Sequence, residues 1–148
     1  MDEAIRSLLL LMPRMVGRTK RMPVPAEFAS VHLTARHLSL LACLLFDGPT
    51  GVNELAGRLA VAPTTVSLMV STLSRAGILE RREDEADRRR KIVSISEAHR
   101  PGIDTWLGGS AGAWRTALTP LTPRERALVV RTLLTYEDAL SREQESRE

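Results

Sequence analysis

Aromatic residues make up only 3% of this 148-residue chain. Leu, Val, Ala and Met must therefore fill the core, and there is little material for the stacking platforms that bind single-stranded nucleic acid. Cysteine occurs once, at Cys43, which excludes an intramolecular disulfide. No Cys/His cluster has metal-ligand spacing, so no metal ligand is assigned. Lysine is almost missing as well: of 21 basic residues only Lys20 and Lys91 are lysines. The apolar run Leu8–Met12 is far too short to span a membrane. Asp2 and Glu3 stand where a signal peptide would carry basic residues, so a soluble, cytoplasmic chain is expected. There is no glycine-rich phosphate loop, no nucleophile paired with a base and no internal repeat. Neither a catalytic residue nor a cofactor is assigned.

What is present suits one domain, or one domain with a helical extension. Apolar residues reach 43%, enough for a core. The formal charge is +3 and the isoelectric point about 9.7. Arginine suits phosphates and base edges because its planar fork donates two parallel hydrogen bonds. A GC-rich genome also raises arginine everywhere, so the position of each arginine carries the argument, not the number.

Helical spacing of Ile5, Leu8, Leu9, Met12, Met15 and Val16 predicts a first helix, with Pro13 kinking or bounding it. Pro23 and Pro25 mark a break. Thr34 is placed to cap a second helix that buries Leu38, Leu41, Ala42 and Leu45 and ends at Asp47-Gly48-Pro49. Gly51 caps a short third helix with Leu55, Leu59 and Ala56 inward. A turn at Val61-Ala62-Pro63 leads into a fourth, because proline needs no amide donor at the first helical position. Val66, Met69, Val70 and Leu73 form its apolar stripe, and Gly77 stops it. Thr64, Thr65, Ser67, Leu68, Ser71, Thr72 and Arg75 fall on its other faces. Two short strands follow, Ile78–Arg82 and Lys91–Ile95, around a charged tip with Asp87, Arg88, Arg89 and Arg90. Ser96 is placed to cap a helix through Trp106 towards Leu118. Gly108, Gly109 and Gly112 should weaken that helix, at about 1 kcal/mol each relative to alanine. Thr122-Pro123-Arg124-Glu125 is a capping box opening a last helix to about Leu140, and the polar tail from Ser141 is expected to fray.

A helix pair followed by a basic hairpin can place one helix in a DNA major groove and an arginine in the adjoining minor groove. The fold expected is mainly α with a small β-hairpin wing: a winged helix-turn-helix lobe at 34–96 and a helical dimerisation region at 1–33 and 97–148. Thr64, Thr65, Ser67, Leu68, Ser71, Thr72, Arg75, Asp87, Arg88 and Arg89 are the candidate DNA-binding residues. Arg89 suits a narrow, negative minor groove over A·T pairs, with Asp87 able to hold its guanidinium. Glu83, Asp84 and Glu85 make the tip unusually acidic for a DNA-facing loop.

The order of elements, with Leu33-Thr34, Glu54-Leu55-Ala56, Pro63-Thr64-Thr65-Val66-Ser67, Leu73, Gly77, Ile78, Arg81, Asp87, Arg89, Val93, Ile95 and Ser96, resembles the MarR family of bacterial regulators. The resemblance implies a homodimer through the terminal helices and two winged lobes on successive major grooves of a pseudo-palindromic double-stranded operator. It also implies a repressor released by a small phenolic or lipophilic ligand. On that basis Met12, Met15, His37, Leu41 and Trp106 are candidate ligand-binding residues. An effector-independent or architectural DNA-binding protein is the alternative. Leu68 and Thr72 depart from the family, where arginine is frequent. Leu68 either meets thymine methyls or packs inside the lobe. Cys43 is expected to pack as a small hydrophobe. His37 either reaches back to the helix cap or faces the ligand cleft. Trp106 and Trp114, two turns apart, either line a pocket or pack in the core or the dimer interface.

Overall fold

The computed structural model describes residues 2–146. Met1, at the start of the expected first helix, and Arg147 and Glu148, in the tail expected to fray, lie outside the described residues. The elements are α1 (Glu3–Lys20), α2 (Ala35–Asp47), β1 (Thr50–Gly51), α3 (Val52–Leu59), α4 (Pro63–Arg75), β2 (Leu79–Glu83), β3 (Lys91–Ile95), α5 (Arg100–Leu118) and α6 (Pro123–Glu145). A 3-10 turn at Ala26–Phe28 precedes α2. The chain divides into two compact units, residues 1–106 and 107–148.

The first unit holds the core. Phe28, Leu40, Leu41, Leu44, Leu55, Val66, Val70, Leu73, Ile78, Val93 and Ile103 are all fully buried in it. The buried face of α2 is Leu40, Leu41, Leu44 and Leu45. The expected stripe of Leu38, Leu41, Ala42 and Leu45 is thus rotated, leaving Leu38 and Ala42 half-buried. Leu59, expected inward, is half-buried as well. The stripe of α4 is as expected: Val66, Met69, Val70 and Leu73 are buried.

Three antiparallel strands in the order β1-β3-β2 form the sheet. The hairpin pairs Leu79 with Ile95, Arg81 with Val93 and Glu83 with Lys91. The two-residue strand β1, which pairs Thr50 with Val93, has no signal in the sequence because it is too short for alternation. It ties the start of α3 to the wing.

Local chemistry sets the joints. At the end of α4, Gly77 takes φ +74°. Its amide donates to Ser74 O at 3.0 Å and that of Ile78 donates to Leu73 O at 2.9 Å. Both orphan carbonyls are thereby satisfied, and Ile78 and Leu73 are both buried. At the end of α3, Ala60 takes the left-handed conformation, φ 51° and ψ 44°, without being glycine. Thr34 caps α2, and the His37 ring reaches back to it, its Nδ1 accepting from the Thr34 amide at 3.1 Å.

Several expectations are corrected. Helix α1 runs through Pro13 to Lys20, a turn past Val16, so proline does not bound it. Ser96 does not cap α5, which begins at Arg100. Its carbonyl instead accepts from the amides of His99 and Arg100 at 3.1 and 3.0 Å, and its hydroxyl meets His99 Nδ1 at 2.9 Å. Helix α5 passes unbroken through its glycines, and nothing lies within 4 Å of a Cβ built on Gly108 or Gly112. Helix α6 extends to Glu145, past the expected frayed start at Ser141. In its capping box the Glu125 carboxylate accepts from the Thr122 amide at 2.7 Å, which holds that carboxyl below its ordinary pKa.

Candidate nucleic-acid interface

The site is built on α4, the start of α3 and the hairpin. Proline opens α4 because that position needs no amide donor, and the amides of Thr65 and Val66 both donate to Ala62 O, at 3.0 and 3.2 Å. Thr64, Ser67, Leu68, Thr72 and Arg75 are exposed along the helix, and Thr65 and Ser71 are half-buried. Leu68 is 70% exposed, so it does not pack inside the lobe. A large apolar side chain held out on a short helix suits a thymine methyl. Val52, Asn53, Pro63, Thr64, Ser67, Leu68 and Ser71 line an open groove of about 470 Å³ between the starts of α3 and α4.

Two hydroxyls of the set are engaged. Thr72 Oγ1 donates to Leu68 O at 3.1 Å, and Ser71 Oγ accepts from Arg81 Nη2 of β2 at 2.9 Å. Arg75 Nε donates to Ser71 O at 3.4 Å, leaving the rest of its guanidinium at the exposed end of the helix. Arg81 was matched only as part of the family pattern; its partner lies ten residues away on another element and leaves no local signal.

At the wing tip, Asp87, Arg88 and Arg89 are exposed. Asp87 does not hold the Arg89 guanidinium. Its carboxylate accepts from the Arg89 amide at 3.0 Å, and its carbonyl accepts from the Arg90 amide at 2.9 Å. It shapes the turn that presents Arg89, and the guanidinium stays available. The acidic flank is partly neutralised, since Glu83 pairs with Lys91 at 3.1 Å. Arg90, expected in the charged tip but not among the candidate DNA-binding residues, turns inward to Glu54 on α3 at 2.7 Å. A second open groove, about 490 Å³, lies between the start of α3 and the wing, lined by Gly51, Val52, Asn53, Glu54, Arg89, Arg90 and Lys91.

The candidate ligand residues are dispersed in character. Met12 is half-buried and Met15 exposed on α1. His37 is half-buried and serves the α2 cap; burial, and secondarily the nearby His32, lower its pKa from 6.5. Leu41 is fully buried in the lobe core and has no surface to offer. Trp106 is half-buried and stacks on Phe28, centroids 5.8 Å apart. Trp114 is exposed. Phe28, which also meets the His99 ring at 5.8 Å, went unassigned because its 3-10 turn has no periodicity. Cys43 is half-buried rather than packed in the core. Its Sγ lies 3.5 Å from Asp47 and 3.8 Å from Arg58. Burial pushes the thiol pKa up, the Arg58 contact opposes this and Asp47 adds to it. A thiol so placed stays protonated and is a poor nucleophile.

The MarR family model matches residues 33–91, the span from α2 to the first residue of β3. A probable transcriptional regulator from Pseudomonas aeruginosa is 30% identical over 82% of this chain and 92% of its own, with a TM-score of 0.53. The chain belongs to the MarR family. Its fold is that of winged-helix MarR regulators, which are transcriptional regulators. BpsR of Bordetella bronchiseptica, whose DNA binding is regulated by 6-hydroxynicotinic acid, is 20% identical. The likeness covers 92% of this chain and 99% of that one, with a TM-score of 0.60. PcaV of Streptomyces coelicolor, solved with its natural ligand, is 20% identical over 87% of this chain and 91% of its own, at a TM-score of 0.55. At that identity both show the fold alone. No protein of curated function matches the chain. Among the described residues no helix is long and apolar enough to cross a membrane, and no group of three or more His, Cys, Asp or Glu is placed to hold a metal ion.

Proposed function

We propose that this MarR-family chain is a double-stranded DNA-binding repressor that acts as a homodimer on a pseudo-palindromic operator. The observation that carries the reading is the joint exposure of Leu68 on α4 and Arg88 and Arg89 on the wing, with Asp87 shaping the tip. Helix α4 would lie in the major groove and Arg89 in the minor groove beside it. Thr64, Thr65, Ser67 and Arg75 would hold phosphates or base edges, and Leu68 would meet thymine methyls. With a leucine and a back-bonded threonine where arginines are frequent, direct reading of guanine is weak. DNA shape and phosphate contacts carry more of the specificity.

Two copies would pair through the terminal segments, 1–33 and 97–148, and present two winged lobes one helical turn apart, about 34 Å. Release by a small phenolic or lipophilic molecule is supported by one protein of this fold whose DNA binding is regulated by 6-hydroxynicotinic acid and another solved with its natural ligand. Met12, Met15, His37 and Trp106 remain the proposed lining, and the molecule would act from the cytoplasm.

Selection of duplexes from a random-sequence library by the full-length protein tests the reading. Recovery of paired half-sites about 10 base pairs apart, bound with an affinity that falls steeply with salt, is expected. Recovery of no preferred duplex would overturn it. An unchanged affinity for the selected duplex across phenolic and lipophilic compounds would favour the effector-independent alternative.

A further inference from the structure

The wing is fastened to the helix pair by charge as well as by its strand pairing. Arg90 closes the tip on both sides: its amide donates to Asp87 O and its carbonyl accepts from the Asp84 amide, each at 2.9 Å. Its side chain then crosses back over the lobe. Nη2 lies 2.7 Å from Glu54 Oε2 on α3, and Nε lies 4.0 Å from Asp84. The guanidinium rests against Gly51 so closely that a Cβ there would stand 3.0 Å from its Nε and 3.1 Å from its Nη2. Glu54 is itself held: its other oxygen takes Arg58 at 2.7 Å, and Arg58 reaches Asp47 in the last turn of α2 at 2.6 Å. Charges of alternating sign therefore run from α2 across α3 to the wing, in the order Asp47, Arg58, Glu54, Arg90, Asp84.

We propose that Arg90 is a positioning residue whose pair with Glu54, seated over Gly51, sets the angle of the wing and so the point where Arg89 enters the minor groove. The inference rests on the DNA-binding reading above. Of three consecutive arginines, Arg88 and Arg89 form no ion pair among the described residues, whereas Arg90 is turned inward. An exposed pair contributes little to global stability because water and salt screen it. It needs to contribute little: beyond the pair of Gly51 with Ile92 the wing is only a two-stranded ribbon, marginal by itself, and a small bias selects among its orientations.

The charge sign separates positioning from contact. Glu54→Gln removes a negative charge from the DNA-facing side. If Arg90 were a phosphate contact, freeing it should hold or raise affinity. If Arg90 positions the wing, the same change weakens binding. The probes are duplexes selected by the wild-type chain, with A·T or G·C pairs under the wing. Glu54→Gln and Arg90→Ala should each weaken binding to the A·T duplex by about two- to fivefold, the range of an exposed pair. Both losses should vanish in an Arg89→Ala background, the non-additivity expected of residues that act through one another. Gly51→Ala supplies a steric probe, since its φ of −75° and ψ of 154° suit alanine and the nearest atoms to the new methyl are all from Arg90. It should reproduce the Arg90→Ala loss. Glu54→Gln binding as tightly as wild type or tighter overturns the proposal. So does an Arg90→Ala loss that is equal on both flanks and persists without Arg89. Amide exchange in free protein gives a readout that needs no DNA: the Asp84 and Arg90 amides should exchange about two- to fivefold faster in Glu54→Gln. Unchanged exchange overturns the positioning role even if the wild-type chain selects no duplex, an outcome that by itself would overturn only the DNA-binding reading.

Discussion

Arg89 and Arg75 carry the same charge but stand in places with different consequences. Arg89 is presented by a turn that Asp87 shapes through a backbone amide, so its guanidinium is free to enter a groove. Arg75 sits at the exposed end of α4, suited to a phosphate. Arg89→Ala should cost about five- to tenfold on duplexes with A·T under the wing and much less on G·C flanks. Arg75→Ala should weaken all duplexes evenly and lower the salt slope by about 0.9. Equal losses for Arg89→Ala on both flanks would remove the minor-groove argument; fluorescence anisotropy across salt measures both. His37 gives a prediction on pH. Its Nδ1 accepts from the Thr34 amide, which requires a neutral ring, and burial lowers its pKa from 6.5. As pH falls below 6.5 the unfolded chain takes up the proton first, so stability present above that value is lost as pH drops through the folded pKa. Thermal melts between pH 8 and 5 should show the decline. His37→Gln, which keeps an acceptor at the same helical position without titrating, should flatten it.

The ends of α3 and α4 form a pair of opposites. Both chains turn through the left-handed region, but α4 does so at Gly77 and α3 at Ala60. A Cβ in that region crowds the following carbonyl and costs roughly 1–2 kcal/mol, less the greater chain entropy that glycine loses on folding. Ala60→Gly should therefore stabilise the lobe by about 0.5–1 kcal/mol, and Gly77→Ala should destabilise it by about 1 kcal/mol or more. Urea melts with unchanged m values would check both, and a neutral Ala60→Gly would show that the turn tolerates alanine freely. These two joints also show what could be read in advance. Gly77 announced its helix end because the residue type matches the conformation. Ala60 gave no sign, since alanine has no local preference for the left-handed conformation it adopts there. The apolar stripe of α4, the caps at Thr34 and Thr122, and the two hairpin strands were legible because periodicity and capping chemistry are local. The strand at Thr50–Gly51, the Phe28–Trp106 stack, the Arg81–Ser71 bond and the inward turn of Arg90 were not. Each joins residues far apart in sequence, and Arg90 lies 36 positions from Glu54. The exposed face of α4 was legible as a set, but which of its hydroxyls remain free was not.

For the whole molecule the deciding fact is that neither α1 nor α6 buries a single residue. Leu8, Leu9 and Leu10 on α1 are at least 50% exposed, as are Leu128, Val130 and Leu134 on α6. Exposed apolar stripes of this length mark an interaction surface, and in the proposed dimer a second copy of the chain would supply matching ones. The expected outcome is a dimeric mass at micromolar concentration and a melting temperature that rises with protein concentration; a monomer with a concentration-independent melt would rule it out. In the proposed dimer, control becomes possible because DNA would sense the distance between two lobes. A ligand acts only through its difference in affinity for lobe spacings that do and do not match about 34 Å. By reciprocity, a derepressing ligand must bind the operator complex more weakly than the free dimer, by the factor by which it weakens DNA binding. Coupling of this kind commonly amounts to about 1–3 kcal/mol, roughly 5- to 150-fold. Calorimetric titration of the ligand into free dimer and into dimer saturated with its selected duplex measures that factor directly. Equal affinities in the two titrations would exclude control through lobe spacing and leave an effector-free DNA-binding protein as the better reading.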